Sequence, residues 1–569
     1  MSTPVRRFLV FATLLALLLG VAGVSAPSAL AKLDTATRVA GINVDATTIP
    51  QLELLMNHHR LTSVQLVQFY VHRIAKLNPE LHAVITVSPT ALADARAADS
   101  ARRHGVHLPL LGIPVIVKDN IDTTGMPTTA GSWALAGSRP TDAFVVQRLR
   151  AAGALIIGKA NLSEWANFRS APSSSGWSGI GGQTNMAYVL DRNACGSSSG
   201  SGVSASADLA TAAVGTETDG SIVCPSGANG LAGIKPTLGL ISRSGIVPIT
   251  SDQDTSGPMA RNVTDAAVLL GAMTGVDPND AATAAQTGHA FTDYTQFLDA
   301  NALQGARIGV WRVGTYDPTI SPEVDAIMNS TVATLQAKGA TIVDPARILI
   351  EPAYGPEFTA LLCEFKTDIA SYLAAHTAAG YPKTLQDLID FNNAHPALEG
   401  PWNSAVFDLA QATGGRADPD CTAARQFATS TAQAAIDDLM AANNLDAIIA
   451  PTNGPAWVTD PVKGDLGGDF SLFVGSSSPS AIAGYGSVTI PAGFVGPLPI
   501  GVSFIGGRWS EPTLIGLAYA LEQAIHVRVP PTFLTSTSAT AATQGAATRE
   551  EKRAVVPSPD GRSTMPSVR

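Results

Sequence analysis

The chain has 569 residues, 45% of them hydrophobic and 14% charged, with a net charge of −10. That balance supports a large buried core and excludes a disordered chain; the lack of a basic cluster argues against nucleic acid as a partner. There is no C-x-x-C pair and no H-E-x-x-H, so neither a metal nor another cofactor is expected.

In chain order, Arg6 and Arg7 precede an apolar run over 8–24, and Ala29-Leu30-Ala31 offers an A-x-A cleavage site. This predicts a secretory signal peptide over 1–31, a secreted protein, and no stable membrane insertion after cleavage. Residues 47–79 carry helical apolar spacing: Thr62-Ser63 stand ahead of Leu66, Val67, Phe69, Tyr70 and Ile74, and Pro79 is read as the close. An Ala/Arg-rich helix follows over 91–104. Short apolar runs then alternate with helices: strand at 110–117, helix at 144–152, strand at 154–158, a small-residue helix or strand–helix edge at 203–213, and helix at 265–274. The theme recurs at 303–311, 322–338 and 341–343. Residues 356–440 are mostly helical in pattern, broken by GPWN and TGGRADPD loops, and are a candidate cap over the site. Strands return at 446–450 and 502–505, and a helix closes the fold at 511–526. The alternation predicts an α/β protein, a large single-domain α/β/α sandwich around a central mixed sheet, over 32–534. The last stretch, 535–569, is small, polar and poor in aromatics, and reads as a disordered tail.

Three segments carry chemistry: Lys118 in PVIVKDNID, Ser197 in CGSSSGS and Ser221 in GTETDGSI. A serine hydroxyl is a poor nucleophile until a base takes its proton. Histidine is the usual base, yet 176–245 contains none. A lysine serves if burial keeps it neutral, and Lys118 ends the apolar run 110–117. The competing reading of Lys118 is a salt bridge to Asp119 or Asp122. Ser221 follows Glu217-Thr218-Asp219-Gly220, where a tight turn aims successive N–H groups at one point. Thr218, Asp219, Gly220 and Ser221 are therefore the candidate oxyanion hole. Asn167, Phe168, Trp165 and Trp177 are candidate substrate contacts because they lie in the loops before Ser197; core packing is the alternative for the aromatics. Glu164 and Lys159 read as scaffold. Cys195 and Cys224 flank the two serines, and a disulfide or two buried thiols both fit; with Cys363 and Cys421, three pairings exist.

These motifs resemble the amidase signature family. The matching stretches are LLGIPVIVKDNIDTTGMPTTAGS, ALIIGKANLSEWANF, the segment from CGSSSGSG to LAGIKPT, and QDTSGPMARNVTDAA, with weaker likeness in DAIIAPT and VTIPAG. The two serines lie 24 positions apart, which is the family's spacing and favours Ser197 over its neighbours Ser198 and Ser199. The resemblance implies a Ser–Ser–Lys hydrolase in which Ser221 attacks and Ser197, in a cis peptide unit, relays the proton to Lys118. Two departures concern substrate choice: Asp219 replaces a common glycine, and Val223 replaces a common arginine that can grip a carboxylate. TETDGSIVCP with EWANFRS and QDTSGPM is most similar to the peptide amidase branch, which implies a small-molecule or peptide amide as substrate and ammonia as product.

Other readings make distinct demands. Gly196-Ser197-Ser198-Ser199-Gly200 also satisfies G-x-S-x-G, the nucleophile elbow of α/β-hydrolases, with Ser198 as nucleophile and a histidine drawn from His289, His376, His395 or His526. A general aliphatic or aryl amidase would keep the Ser–Ser–Lys set. Transamidation of charged transfer RNA conflicts with the signal-peptide pattern and the acidic charge. A non-enzymatic secreted binding protein has no use for Lys118, Ser197 and Ser221 together.

Overall fold

Short runs of β-branched and small residues build the centre of the computed structural model, which describes residues 37–312, 321–466 and 476–537, all in one unit that starts at Thr35. The segment expected as a signal peptide, 1–31, and the tail beyond Thr537 lie outside the described residues. Among the described residues no helix is long and apolar enough to cross a membrane.

Eleven strands form one sheet: β1 (Val84–Val87), β2 (Pro114–Lys118), β3 (Leu155–Ala160), β4 (Ala212–Glu217), β5 (Ala232–Lys235), β6 (Thr255–Ala260), β7 (Arg307–Val310), β8 (Thr341–Val343), β9 (Ala447–Pro451), β10 (Ser487–Val495) and β11 (Leu498–Ile505). Their spatial order is β8-β7-β9-β11-β10-β5-β6-β4-β2-β3-β1. β2 runs parallel to β3 and β4, and β7 runs parallel to β8 and β9. The other neighbours are antiparallel, so the sheet is mixed. β2, β3, β4 and β9 are buried at every residue. That is why they read as unbroken apolar or small-residue runs rather than as alternations. Helices flank the sheet, giving the expected α/β/α sandwich. Those at Ala91–Arg103, Phe144–Ala151, Val263–Met273, Pro322–Ala337 and Glu511–Ile525 match the predicted spans within two residues.

Two expectations are corrected. The 47–79 segment is two helices, Ile49–Asn57 and Ser63–Leu81, the second opened by a Thr62/Gln65 capping box. Pro79 lies inside the second helix rather than closing it. In a last turn the missing N–H forfeits a single bond, and Asn78 takes over the exit: its Oδ1 accepts from Ala83 N and Val84 N, both at 2.8 Å. The 203–213 segment resolves into a helix that begins earlier, Ser199–Ser206, and strand β4.

The candidate cap consists of four helices, Tyr354–His376, Leu385–Ala394, Ala405–Gln411 and Pro419–Asn443. The apolar faces of the first three share one cluster with Trp165, Phe168, Val247 and Ile249. All four cysteines are paired: Cys363 with Cys421, joining the first and last cap helices, and Cys195 with Cys224.

Candidate active site

Lys118 is the last residue of β2, and β4 lies beside it in parallel. The site therefore forms beyond the carboxyl ends of parallel strands, where α/β sheets open crevices. Lys118 is fully buried. Its Nζ donates to Ser197 Oγ at 2.7 Å, to Thr216 Oγ1 at 2.9 Å and to the Thr216 carbonyl at 3.3 Å. Burial brings its pKa down to about 7, against the opposing pull of the Asp254 and Glu217 carboxylates. The salt-bridge alternative fails, because its two partners are engaged elsewhere. Asp119 pairs with the buried Lys159 at 3.2 Å; Asp122 accepts from Tyr372 Oη at 2.7 Å and meets His376 Nδ1 at 2.9 Å.

Ser197 follows a cis Gly196–Ser197 peptide and is fully buried. Small residues let its loop lie directly on β4: a Cβ at Gly215 would sit 2.8 Å from Ser198 Oγ. Ser198 Oγ is spent on the backbone, donating to Thr216 O at 3.0 Å and accepting from Thr216 N at 3.2 Å. Ser199 Oγ donates to Cys195 O. Of the three adjacent serines, Ser197 is the one joined to Lys118.

Ser221 sits in the turn after β4. Glu217 shapes that turn, its Oε2 accepting from Ile222 N at 2.7 Å and Val223 N at 3.0 Å. Gly220 adopts φ +78°, which only glycine takes without strain. The N–H groups of Asp219, Gly220 and Ser221 meet no acceptor among the described residues. Ser198 N donates to Ser221 O at 3.2 Å, so the two serine loops meet backbone to backbone. The Asp219 carboxylate accepts from Ser477 Oγ at 2.5 Å. Thr218 is braced on both sides: its Oγ1 donates to Asp254 Oδ1 at 2.5 Å, and its carbonyl accepts from Gln253 Nε2 at 2.9 Å.

The candidate substrate contacts separate into two groups. Trp165 and Phe168 are buried in the cluster under the cap, with ring centroids 5.9 Å from Phe407 and 5.0 Å from Phe365, so packing accounts for both. Trp177 packs on Trp402 at 6.3 Å and lies under the Arg169 guanidinium. Asn167 faces the serine loop through Ser175: its Nδ2 donates to Ser175 Oγ at 3.3 Å, and a Cβ at Gly196 would lie 3.1 Å from Ser175 Cβ. Trp165, Ala166 and Asn167 all hold positive φ, a strained run of the kind that clusters at ligand sites. Glu164 and Lys159 brace the scaffold as expected. Glu164 pairs with Arg169, and Lys159 Nζ donates to Thr128 Oγ1 at 2.8 Å.

Sequence reasoning missed three contributors. Thr216 lies within the GTETDGS motif, and strand alternation could have placed it beside Lys118. Asp254 lies in the QDTSGPM segment without a motif role of its own; burial raises its pKa to about 6. The third is a chain from the cap: Gln253 Oε1 accepts from Arg425 Nη1 at 2.7 Å, and Arg425 Nη2 pairs with Glu364 at 2.7 Å. No local pattern signals it.

The family model for amidases matches residues 65–515. A probable amidase of Arabidopsis thaliana is 40% identical over 508 residues, covering 86% of this chain and 92% of the relative. The crystal structure of native peptide amidase from Stenotrophomonas maltophilia is 45% identical with a TM-score of 0.81, covering 85% of this chain and 98% of that one. The peptide amidase PAM in complex with the competitive inhibitor chymostatin is likewise 45% identical, with a TM-score of 0.82 over 85% of this chain and 99% of that one.

Proposed function

We propose that this chain, which belongs to the amidase family, hydrolyses the C-terminal carboxamide of peptides by a Ser221–Ser197–Lys118 relay. Family membership makes it a hydrolase of amide C–N bonds; the proposal concerns which amide and which residues. The observation that carries the chemistry is the 2.7 Å bond between Ser197 Oγ and a fully buried Lys118. The likeness to peptide amidases supports the substrate class.

In this reading Ser221 Oγ attacks the carboxamide carbon. Its proton passes to Ser197 Oγ, whose own proton passes to neutral Lys118 Nζ. The N–H groups of Thr218, Asp219, Gly220 and Ser221 receive the oxyanion. On collapse the C–N bond breaks, the proton returns along the relay to the leaving nitrogen, and ammonia departs. Water, deprotonated by the same relay, then releases the carboxylate from the acyl-enzyme. Val223 puts no guanidinium at that position beside the nucleophile, which argues against a free carboxylate of the substrate bound there. Selectivity for a terminal amide requires a leaving-group end that admits NH2 and excludes a further residue.

Ammonia release from a short C-terminally amidated peptide, by wild type and by Ser221→Ala, tests both parts. Release by the wild type alone supports the reading. A folded wild type that cleaves only simple aliphatic or aryl amides keeps the relay and discards the peptide amide. The 1–31 pattern also supports a location outside the cytoplasm. Recovery of the chain only from the cytoplasm, with the 8–24 run intact, would overturn that part.

A further inference from the structure

The Cys195–Cys224 disulfide stands where the two serine loops meet. Cys195 is two residues before Ser197 and Cys224 is three after Ser221, with Cα atoms 6.0 Å apart. Two hydrogen bonds join the same segments: Ser198 N to Ser221 O at 3.2 Å and Asn229 Nδ2 to Ala194 O at 2.9 Å. Neither bond acts on a serine hydroxyl. Lys118 holds Ser197 from the sheet side, and Glu217 holds the turn just past Ser221. The covalent link closes this frame on its remaining side.

Two further features set the pair apart from packing alone. Cys195 has φ +57°, a left-handed conformation that disfavours any residue with a Cβ. A side chain is nevertheless kept there, and it reaches Cys224. Both cysteines are also covered, 3% exposed each, in a cluster with Ala228 and Trp457. The Trp457 carbonyl accepts from Asn193 N at 2.8 Å, so the cover is tied to the loop it shields.

We infer that the Cys195–Cys224 disulfide is a positioning element of the hydrolytic site, holding Ser197 and Ser221 in register so that full turnover requires the oxidised pair. The inference rests on the Ser221–Ser197–Lys118 reading. Misplacement by about 1 Å can cost on the order of a hundredfold in rate without loss of fold. An external dithiol opens the link by two exchanges: the S–S bond breaks, two cysteine thiols form, and the dithiol closes to its own disulfide, with two electrons and two protons transferred. The Cys363–Cys421 disulfide, between cap helices, is the internal control.

The test compares kcat and KM for ammonia release from an amidated dipeptide, with circular dichroism as the fold check. Cys195→Gly/Cys224→Ala removes the link and relieves the left-handed position. Its kcat is expected to fall roughly tenfold to a hundredfold, with KM within about twofold and the spectrum unchanged. Cys363→Ala/Cys421→Ala is expected to keep kcat. Wild-type kcat in the first variant, or equal kcat losses in both, overturns the inference. If the first variant does not fold, wild type is titrated with dithiothreitol, and aliquots are alkylated in denaturant to score each pair by mass spectrometry. Activity that tracks reduction of Cys195 and Cys224 supports the inference; activity that survives it overturns it. Ser221→Ala separates the two levels. Ammonia release by that variant sinks the nucleophile assignment itself, whereas a dead Ser221→Ala beside a fully active cysteine variant sinks the disulfide inference alone.

Discussion

Around Lys118 the serine loops are built of small residues, held by hydrogen bonds to hydroxyls and to the backbone. In the cap, over 354–443, the side chains are large and the contacts run ring to ring and ion to ion. Ser198 is held by both polar groups of the Thr216 backbone, and the Ser221 turn by Glu217. Phe365, by contrast, sits 5.3 Å from Phe407 and 5.0 Å from Phe168, and Arg425 is paired with Glu364. The first region fixes atoms to within a hydrogen bond; the second supplies cover and adhesion. They touch through polar links, among them Arg425 to Gln253 to the Thr218 carbonyl, and Tyr372 to Asp122. The division of labour this teaches is that changes near Lys118 alter rate more than stability, and changes in the cap do the reverse.

The hardest test of that division is Lys118→Met. An apolar chain of similar length fills the buried site, so the thermal midpoint is expected to hold or rise, while kcat for ammonia release falls on the order of a thousandfold or more. A kcat within tenfold of wild type would falsify the lysine's place in the relay.

The cap counterpart is Phe365→Ala. Removing a fully buried ring costs about 3–5 kcal/mol, read as a drop in urea midpoint at constant slope. Activity assayed well below the transition should fall far less than in Lys118→Met. A loss under about 1 kcal/mol would mean that the cap is not packed on the 165–168 loop as described.

The finest test is acidity. Lys118 accepts a proton only when neutral, and burial has brought its pKa down to about 7. Activity should therefore fall as pH drops below that value, by about tenfold per unit once the lysine is mostly charged. Asp254 opposes the shift, since its negative charge favours the ammonium. Asp254→Asn removes that charge, lowers the lysine pKa further and moves the acid limb to lower pH. A limb that stays put, or moves up, would show that Asp254 does not set the base. No such displacement is expected of Phe365→Ala.

The same contrast explains what was legible beforehand. The sheet region announces itself locally: a β-branched run ending in Lys118, then serines separated by glycines at a fixed spacing. Each of these reflects a backbone demand made within a few residues, such as the positive φ at Gly220. Cap helices were visible as periodicity over 356–440, but not which rings would meet. Trp165 and Phe168 look equally like substrate contacts and like core in one dimension; the helices packed over them decide for core.

Residue order along the chain determined the chemistry on offer and the α/β/α class, because burial on both faces and helix periodicity are written in short runs. Pro79 shows the limit of such runs: a proline stops a helix by removing one bond, and whether that matters depends on what Asn78 does next. Tertiary structure alone decided that Thr216 and Ser197 share Lys118, that the charge of Asp254 acts on it, and that Cys195 pairs with Cys224. Those pairings depend on which strands lie side by side and in what register, as with Val117 opposite Val214. Hydrogen bonds, charges and disulfides act over ångströms in space, and separations of tens to hundreds of residues become ångströms only once the sheet has formed.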